Sequence, residues 1–538
     1  MADIAHTAET ETGVVDADSM TTVPEGEAAS ALAPAPAATT PRATANRSTT
    51  PASDNFQRYI GENWAPRTIV VPEPRASAAC AARRRERLAA QHPGVTLIIP
   101  AGTAKVRSND TDYPYRAHSA FAHLTGWGSD SVAGSVLVLT PNAAAPEISP
   151  VVPGTAHTAT LYFRPAAGRD SSEFYANPEI GEFWTGPRPA LDTVAADLGL
   201  RVCDISELAA VLDAPDAACL VVRDADESIT TRVDSRRAAQ GTSAAAPTPV
   251  EQPASDADLA RDLSELRLVK DHYEIEQLRL AVAATARGFD DVITDRQAII
   301  AHPRGERLVE GTFYRRARAD GNAVGYDTIA ASGAHACILH WVRNDGPVTA
   351  GDLMLLDAGI ELDSYYTADI TRTLPVSGVF SAVQRRVYEA VLEAADAAFQ
   401  IVRPGIRFRE LHQRAMEVIA ERTAEWGLLP VSAAESLKPE NQFHRRYMVH
   451  GTSHHLGLDV HDCAAARRDL YLDGVLEAGM VFTIEPGLYF QPDDLTVPAE
   501  YRGIGVRIED NILVTETGAE NLSIAIPRTV DDVERWLA

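Results

Sequence analysis

The chain has 538 residues, enough for two or more domains with buried cores. It carries 49 Lys and Arg against 75 Asp and Glu, and the formal charge of −26 predicts repulsion from nucleic-acid phosphates, so we expect no nucleic-acid partner. No run of about 18 apolar residues occurs, so we expect no membrane partner either. Five scattered cysteines without a CxxC pair, and an amino terminus without an apolar signal sequence, predict a cytoplasmic protein.

The amino-terminal part divides by composition into two segments. Residues 1–53 are rich in Ala, Pro and Thr and cannot bury enough apolar surface to offset chain entropy, so we predict a disordered tail. Residues 54–235 are predicted to form an α/β domain, because the apolar runs 94–100 and 134–140 indicate buried strands. An Ala-rich helix is predicted over 78–91. We interpret its arginines as a solvated face: Arg83, Arg84, Arg85 and Arg87.

The rest of the chain begins with a second segment of low complexity. Residues 236–259 have the Ala, Pro and Thr content of a linker. Residues 260–538 are predicted to form a second domain. It opens with apolar residues at three- and four-residue steps from Ile275 to Ile293, which indicate an amphipathic helix.

Two acids in the second domain flank a predicted hairpin. Asp357 ends an apolar run, and Asp369 follows twelve positions later. Asp363 and Ser364 favour a turn between them, so we expect Asp357 and Asp369 to lie opposite each other on paired strands. Two carboxylates that close repel each other unless a positive charge lies between them.

Further acids and histidines follow in the same domain. Glu485 ends the apolar run 480–484, and Glu509 shares one face of a predicted strand with Arg507, because side chains alternate along a strand. The histidines of this part are His340, His450, His454, His455 and His461.

Taken singly, each of these residues has an ordinary structural explanation. A lone acid at a strand end is typical of a solvated turn, and a lone histidine such as His340 or His455 is typical of a packed interior. Four acids in apolar strands differ, because desolvating even one unpaired ion costs several kcal/mol. Two divalent cations would neutralise four carboxylates, and a histidine would complete the set. Oxygen-rich coordination with one imidazole suits Mn(II), with Co(II) and Zn(II) as alternatives.

The motifs together resemble those of aminopeptidase P, the Xaa-Pro aminopeptidase family of pita-bread metallopeptidases. The resemblance covers about residues 54–538, and in the amino-terminal domain it rests on the run 107–116. The motifs of the second domain are Asp357-Ala-Gly, Ala368-Asp369-Ile-Thr-Arg-Thr, His450-Gly-x-x-His454, Glu485-Pro-Gly and Arg507-Ile-Glu509-Asp.

The resemblance implies a fold, a ligand set and a reaction. The fold would be an N-terminal α/β domain followed by a C-terminal pita-bread domain, in which a curved antiparallel sheet is flanked by helices. The reaction would be hydrolysis of the bond before a penultimate proline, using two metal ions and a bridging hydroxide. The implied metal ligands are Asp357, Asp369, His454, Glu485 and Glu509.

Other site residues have implied roles outside the ligand set. Glu485 would pass a proton to the leaving nitrogen, and Arg507 would hold ligand carboxylates in place. His461 would stabilise the oxyanion, His450 would line the proline pocket, and His340 would also line the site. A homodimer or homotetramer is implied, with the amino-terminal domain of one subunit reaching toward another subunit's site.

Two departures from the family pattern and two alternatives accompany this interpretation. The interval from Asp357 to Asp369 is one residue longer than in bacterial relatives, and His455 stands where an aromatic residue is common. Prolidase, which cleaves only Xaa-Pro dipeptides, shares the fold and the ligands. A pita-bread domain without catalysis, serving as a binding module, is the other alternative, although all five ligand positions here carry competent residues.

Overall fold

The computed structural model describes residues 49–67, 70–109, 111–142, 157–214, 218–239 and 254–538. Most of the predicted tail and the centre of the predicted linker, residues 240–253, lie outside these ranges. The two described ends of the predicted linker are helical. Within the described ranges, no helix combines the length and the apolar character that a bilayer span requires.

The amino-terminal part is built on a five-stranded mixed sheet. Its strand order is β6-β5-β4-β1-β7, in which β1 and β4 are the two strands predicted from apolar runs. The strands are β1 (Thr96–Pro100), β2 (Val106–Ser108), β3 (Thr111–Asp112), β4 (Val136–Pro141), β5 (His157–Phe163), β6 (Arg201–Asp204) and β7 (Cys219–Val221). The helices are α1 (Asp54–Gly61), α2 (Ala78–Gln91), α3 (Ser119–Thr125), α4 (Glu173–Ala176), α5 (Glu182–Thr185), α6 (Leu191–Leu198), α7 (Leu208–Leu212) and α8 (Glu227–Ala239).

Helix α2 has the predicted bounds, but the interpretation of its arginines is wrong for two of them. Arg84 and Arg85 are buried, while Arg83 and Arg87 are exposed. Arg84 forms an ion pair with Asp271 at 2.8 Å, and Arg85 donates to the carbonyl of Leu124. A run of four arginines on one helix reaches both sides of it, so the run cannot form a single solvated face.

The carboxy-terminal part combines short antiparallel sheets with long helices. Its sheets have the orders β12-β10-β9, β11-β8, β13-β16-β17 and β14-β15. The strands are β8 (Ala323–Val324), β9 (Ile329–Ser332), β10 (Leu353–Ala358), β11 (Ile360–Glu361), β12 (Ile370–Pro375), β13 (Val481–Ile484), β14 (Gly487–Tyr489), β15 (Gly505–Arg507), β16 (Asp510–Val514) and β17 (Ala519–Asn521). The helices are α9 (Asp256–Glu265), α10 (His272–Thr294), α11 (Arg296–Ala301), α12 (Gly305–Asp320), α13 (Ala382–Gln400), α14 (Arg409–Glu425), α15 (Ala433–Ser436) and α16 (Val530–Leu537).

Helix α10 contains the amphipathic segment predicted from the apolar periodicity. It begins at a capping box in which Asp271 accepts from the amides of Tyr273 and Glu274. Its buried face includes Leu278, Val282 and Phe289. Helices α13 and α14 bury apolar faces in the same core, which also receives side chains from β10, β12 and β13. This core supports the strands that carry the candidate site.

The turn after β11 joins the carboxy-terminal part to the amino-terminal part. Ser129 donates to the backbone carbonyl of Asp363 at 2.8 Å, and a Cβ on Gly128 would lie 2.0 Å from that same oxygen. Tyr365 at the turn has φ 70° and is fully buried, and its hydroxyl accepts from the amide of Ala117. The hairpin that carries Asp357 and Asp369 is therefore held at its tip by the amino-terminal part.

Candidate active site

The first two acids lie on a hairpin, with a register that differs from the predicted one. Strands β10 and β12 pair Asp357 with Thr371, so Asp369, one residue before β12, lies two positions from that partner and is a diagonal neighbour of Asp357. The prediction of directly opposed acids is wrong because the turn is centred at Ser364, one residue later than expected. The same register continues to the Glu361 bridge with Thr367, so no bulge interrupts the hairpin.

The glycine of Asp357-Ala-Gly has a structural role in this hairpin. A Cβ on Gly359 would lie 1.8 Å from the carbonyl oxygen of Ala368, so any larger residue would push the two strands apart. Diagonal neighbours on one face lie within reach of each other, and the close approach at Gly359 keeps Asp357 and Asp369 together.

The second pair of acids lies where neighbouring strands meet, with Glu485 between β13 and β14 and Glu509 between β15 and β16. Ile484 pairs with Asp510 and Gly487 pairs with Arg507 in one continuous register, so Glu485 lies opposite Glu509. Like charges directly opposite each other destabilise a sheet. Here the arrangement brings a third and a fourth carboxylate toward the hairpin acids.

His454 lies between the two pairs of acids. Its Nε2 is 3.1 Å from Asp369 Oδ2 and 3.6 Å from Glu485 Oε1. Its Nδ1 lies 3.2 Å from the carbonyl oxygen of His455. A proton on Nδ1 would bond that oxygen, which leaves Nε2 directed at the acids, as in a metal-binding imidazole.

The pKa values of the four acids and of His454 depart from their ordinary values. Burial, reinforced by the neighbouring acids, raises the pKa of Glu509 well above its ordinary value, and burial raises that of Glu485 to about 7. Burial also raises the pKa of Asp357, with Arg507 opposing it. Burial alone would lower the pKa of His454, but Asp369 and Glu485 raise it to about 9. Burial alone would raise the pKa of Asp369, but the hydrogen bond and charge of His454, together with Tyr326 and His461, lower it.

These observations fit a site for divalent cations. One donor atom each from Asp369, His454 and Glu509 lies within 4.8 Å of the other two. The raised pKa values show that the acids need positive charge nearby, which a cation would supply as it displaces the protons. Carboxylates with one imidazole are ligands for Mn(II), Co(II) and Zn(II).

Arg507 donates hydrogen bonds to three side chains on one side of the site. Its Nη2 donates to Asp357, Nε donates to Thr371 Oγ1 at 3.1 Å, and Nη1 donates to the Tyr489 hydroxyl at 3.1 Å. Thr371 in turn donates to Glu509 Oε2 at 2.7 Å. Arg507 therefore contacts one ligand candidate directly and a second one through Thr371.

Three side chains of this network were missed by the sequence reasoning. Thr371 was missed because the predicted hairpin register was wrong. The observed register places it opposite Asp357. Tyr489 lies four residues after Glu485 and gave no separate signal. Tyr326 donates to Asp357 Oδ1 at 2.6 Å from outside every recognised motif.

The other predicted histidines border the ligand candidates. His450 Nε2 lies 2.8 Å from the Tyr489 hydroxyl, and burial together with Arg507 lowers its pKa to about 3. The ring of His461 meets the ring of His454 edge-on, with centroids 4.3 Å apart. His340 is exposed and close enough to His461 to contribute to lowering its pKa, behind the larger effects of burial and of His454.

His455 has the packed role that was predicted for it. Its side chain is buried and stacks on Phe408 with ring centroids 4.7 Å apart, and it meets Tyr471 edge-on. Histidine therefore takes the place of an aromatic residue in an aromatic cluster beside His454.

Both parts of the chain match family models. Residues 276–516 match metallopeptidase family M24, and residues 81–218 match the aminopeptidase P, N-terminal domain. Xaa-Pro aminopeptidase 1 of Streptomyces coelicolor is 47% identical over 488 residues, which cover 90% of this chain and 92% of that protein. The Xaa-Pro aminopeptidase of Escherichia coli is 33% identical over 471 residues, 84% of this chain and 96% of that one.

A solved structure extends the likeness to three dimensions. The low-pH form of aminopeptidase P from E. coli superposes with a TM-score of 0.71 at 31% identity and covers 86% of this chain and 98% of that chain. Aminopeptidase PepP of Pseudomonas aeruginosa gives a TM-score of 0.71 at 31% identity.

Proposed function

Because this chain belongs to the aminopeptidase P family of pita-bread metallopeptidases, with the expected two-domain architecture, we propose that it is an Xaa-Pro aminopeptidase. It releases the first residue of a peptide whose second residue is proline. The observation that carries the proposal is the convergence of four buried or partly buried acids and His454 on one site in a chain whose curated relatives are named for this reaction.

We propose that five residues hold two divalent ions: Asp357, Asp369, His454, Glu485 and Glu509. When bound, such ions lower the pKa of a water molecule and polarise the scissile carbonyl. Manganese is proposed first, because oxygen donors dominate the set, and zinc is the alternative that one solved relative, the zinc-substituted aminopeptidase P of E. coli, carries.

Glu485 is proposed to move the proton. Its carboxylate oxygens lie 3.6 Å from His454 Nε2 and 3.8 Å from His450 Nδ1, so it faces both the ligand set and the histidine beside it. From this place it can take a proton from the attacking water and give it to the proline nitrogen as the bond breaks.

The histidines outside the ligand set are proposed to act on the substrate. His461, edge-on to His454, is proposed to stabilise the oxyanion. His450 is proposed to line the proline pocket, and His340 is proposed to line the site next to His461. Tyr489 fixes His450, because its hydroxyl bonds His450 and also accepts from Arg507.

Quaternary structure and location complete the proposal. A homodimer or homotetramer follows from the family resemblance, and gel filtration that gives a monomer would contradict it. The cytoplasmic location stays a prediction from the cysteine pattern.

A peptide competition tests the proposed function against prolidase. Metal-stripped protein reloaded with Mn(II) receives an equimolar mixture of Arg-Pro-Pro and Ala-Pro, followed by mass spectrometry. We expect loss of the tripeptide with release of free arginine. Loss of the dipeptide alone would establish prolidase, and cleavage of neither would favour a binding module. Glu485→Gln, reloaded in the same way, should leave both peptides intact.

A further inference from the structure

Helix α12 carries a buried acid that the proposed mechanism does not use. Glu306 is the second residue of α12, and its side chain has no exposed surface. Within the described residues, His335 is its one ion-pair partner within 4.0 Å. A carboxylate that is fully buried without a lysine or an arginine needs several hydrogen bonds to offset its desolvation.

Four hydrogen bonds reach Glu306, and all come from one stretch of chain. Oε1 accepts from the amide of Ser332 and from His335 Nδ1, each at 2.8 Å. Oε2 accepts from Trp341 Nε1 at 2.9 Å and from the amide of Gly346 at 2.7 Å. We call residues 332–346 the His340 loop, because two of these donors precede His340 and two follow it.

The same loop contacts the strands that carry the active site. Cys337 Sγ donates to the carbonyl of Phe490 at 3.3 Å, and Gln491 Nε2 donates to the carbonyl of Cys337 at 2.8 Å. Phe490 directly follows Tyr489, the residue that bonds His450 and Arg507. The loop is thus fixed to the site on one side and to Glu306 on the other.

Within the loop, the two side chains that donate to Glu306 also stack on each other. The rings of His335 and Trp341 have centroids 3.8 Å apart with an interplanar angle of 24°. One carboxylate therefore determines the position of both aromatic rings, and with them the path of the five residues between them.

We propose that Glu306 is a positioning residue, which holds the His340 loop so that the His340 imidazole lies beside His461 in the active site. The inference rests on the proposed function for its kinetic consequence, but not for the structure of the loop. Glu306 touches neither a ligand candidate nor the substrate. Its effect on turnover passes through His340.

Glu306→Gln is the sharpest substitution. Glutamine keeps the shape but replaces one acceptor oxygen by an NH2 group, so two of the four loop donors would face another donor. Glu276→Gln, at an exposed position of α10, is the matched control. We expect faster amide hydrogen exchange in peptides covering 332–346 of Glu306→Gln, with no change in the control. Unchanged exchange would overturn the proposal.

A double-mutant cycle with His340→Ala measures the kinetic role. We expect Glu306→Gln to lower kcat/KM for Arg-Pro-Pro at least tenfold in the wild-type background and less than twofold in the His340→Ala background, with metal content unchanged. An equal loss in both backgrounds would mean general destabilisation and would overturn the proposal. Trp341→Phe removes one donor only and supplies the same cycle if Glu306→Gln does not fold. If the wild type cleaves no peptide, the proposed function fails, while hydrogen exchange still decides the role of Glu306.

Discussion

Glu509 and Asp510 are neighbours in the sequence, are about equally buried, and have opposite surroundings. Glu509 faces three other acids, and burial with their charges raises its pKa. Asp510 accepts from Arg372 at 2.7 Å and lies 3.1 Å from Arg528, and these arginines outweigh burial and lower its pKa. Consecutive side chains in extended chain point to opposite sides. Burial alone therefore does not identify a functional acid; the charge of its neighbours does.

The largest effect on function is expected from Glu509→Gln. The change removes one ligand charge, so we expect metal binding to weaken and kcat/KM to fall by about three orders of magnitude. The metal-free variant should unfold at the same temperature as the wild type or higher, because a repulsion is lost. Metal analysis, peptide assays and calorimetry measure the three quantities. A variant that keeps its metal and its turnover would contradict the assignment.

The largest effect on stability is expected from Asp510→Asn. It leaves Arg372, which has no exposed surface, without its carboxylate, and breaking such a pair costs about 3–5 kcal/mol. Chemical denaturation measures this cost. Asp396→Asn, at the 44% exposed partner of Arg528, is the control and should cost less than about 1 kcal/mol. If both variants lost the same free energy of unfolding, the buried Arg372–Asp510 pair would stabilise the protein no more than the exposed pair does.

A smaller effect is expected from Tyr489→Phe, which removes the hydroxyl shared by His450 and Arg507. We expect kcat to fall about 10- to 100-fold while both ions stay bound, because no ligand is lost. Steady-state kinetics with metal analysis separates the two quantities. Loss of metal with unchanged kcat in the reloaded variant would assign the hydroxyl to the ligand set instead.

The smallest effect is expected from a histidine behind the site. His412 Nε2 accepts from Arg445 at 2.8 Å and Nδ1 bonds Thr452 Oγ1, and burial with Arg445 and His444 lowers its pKa to about 4. In the unfolded chain His412 would have an ordinary pKa of about 6.5, so the unfolded chain takes up a proton there at a higher pH than the folded chain does. The stabilisation from neutral His412 is therefore complete above about pH 6.5 and is lost as the pH falls toward 4.

Thermal unfolding at pH 7 and pH 5 tests whether His412 makes the folded chain less stable as the pH falls. The midpoint of the wild type should fall more between the two pH values than that of His412→Gln, because the variant lacks the group that gains a proton on unfolding. All other titrating groups are common to both proteins. An equal fall in both would contradict the role of His412.

Local patterns predicted several of the elements and the grouping of the acids. Strands β1 and β4 follow from short apolar runs, helix α2 follows from its alanine content, and helix α10 follows from apolar periodicity. Glu485 follows from its place at the end of an apolar run, and Glu509 follows from the strand face that it shares with Arg507. The register of the hairpin did not follow, because a shift of one residue at the turn changes no local pattern. Glu306 and Tyr326 could not be predicted, because their partners are remote in the sequence or lie in a loop without periodicity.

Calorimetric titration of metal-stripped protein with Mn(II) tests the central claim most directly. The account predicts two ions per chain and a higher thermal midpoint after loading, because the ions bind the folded acids and not the unfolded chain. Binding of no ion, or binding that leaves the midpoint unchanged, would contradict the assignment of the four acids and His454 as a metal site.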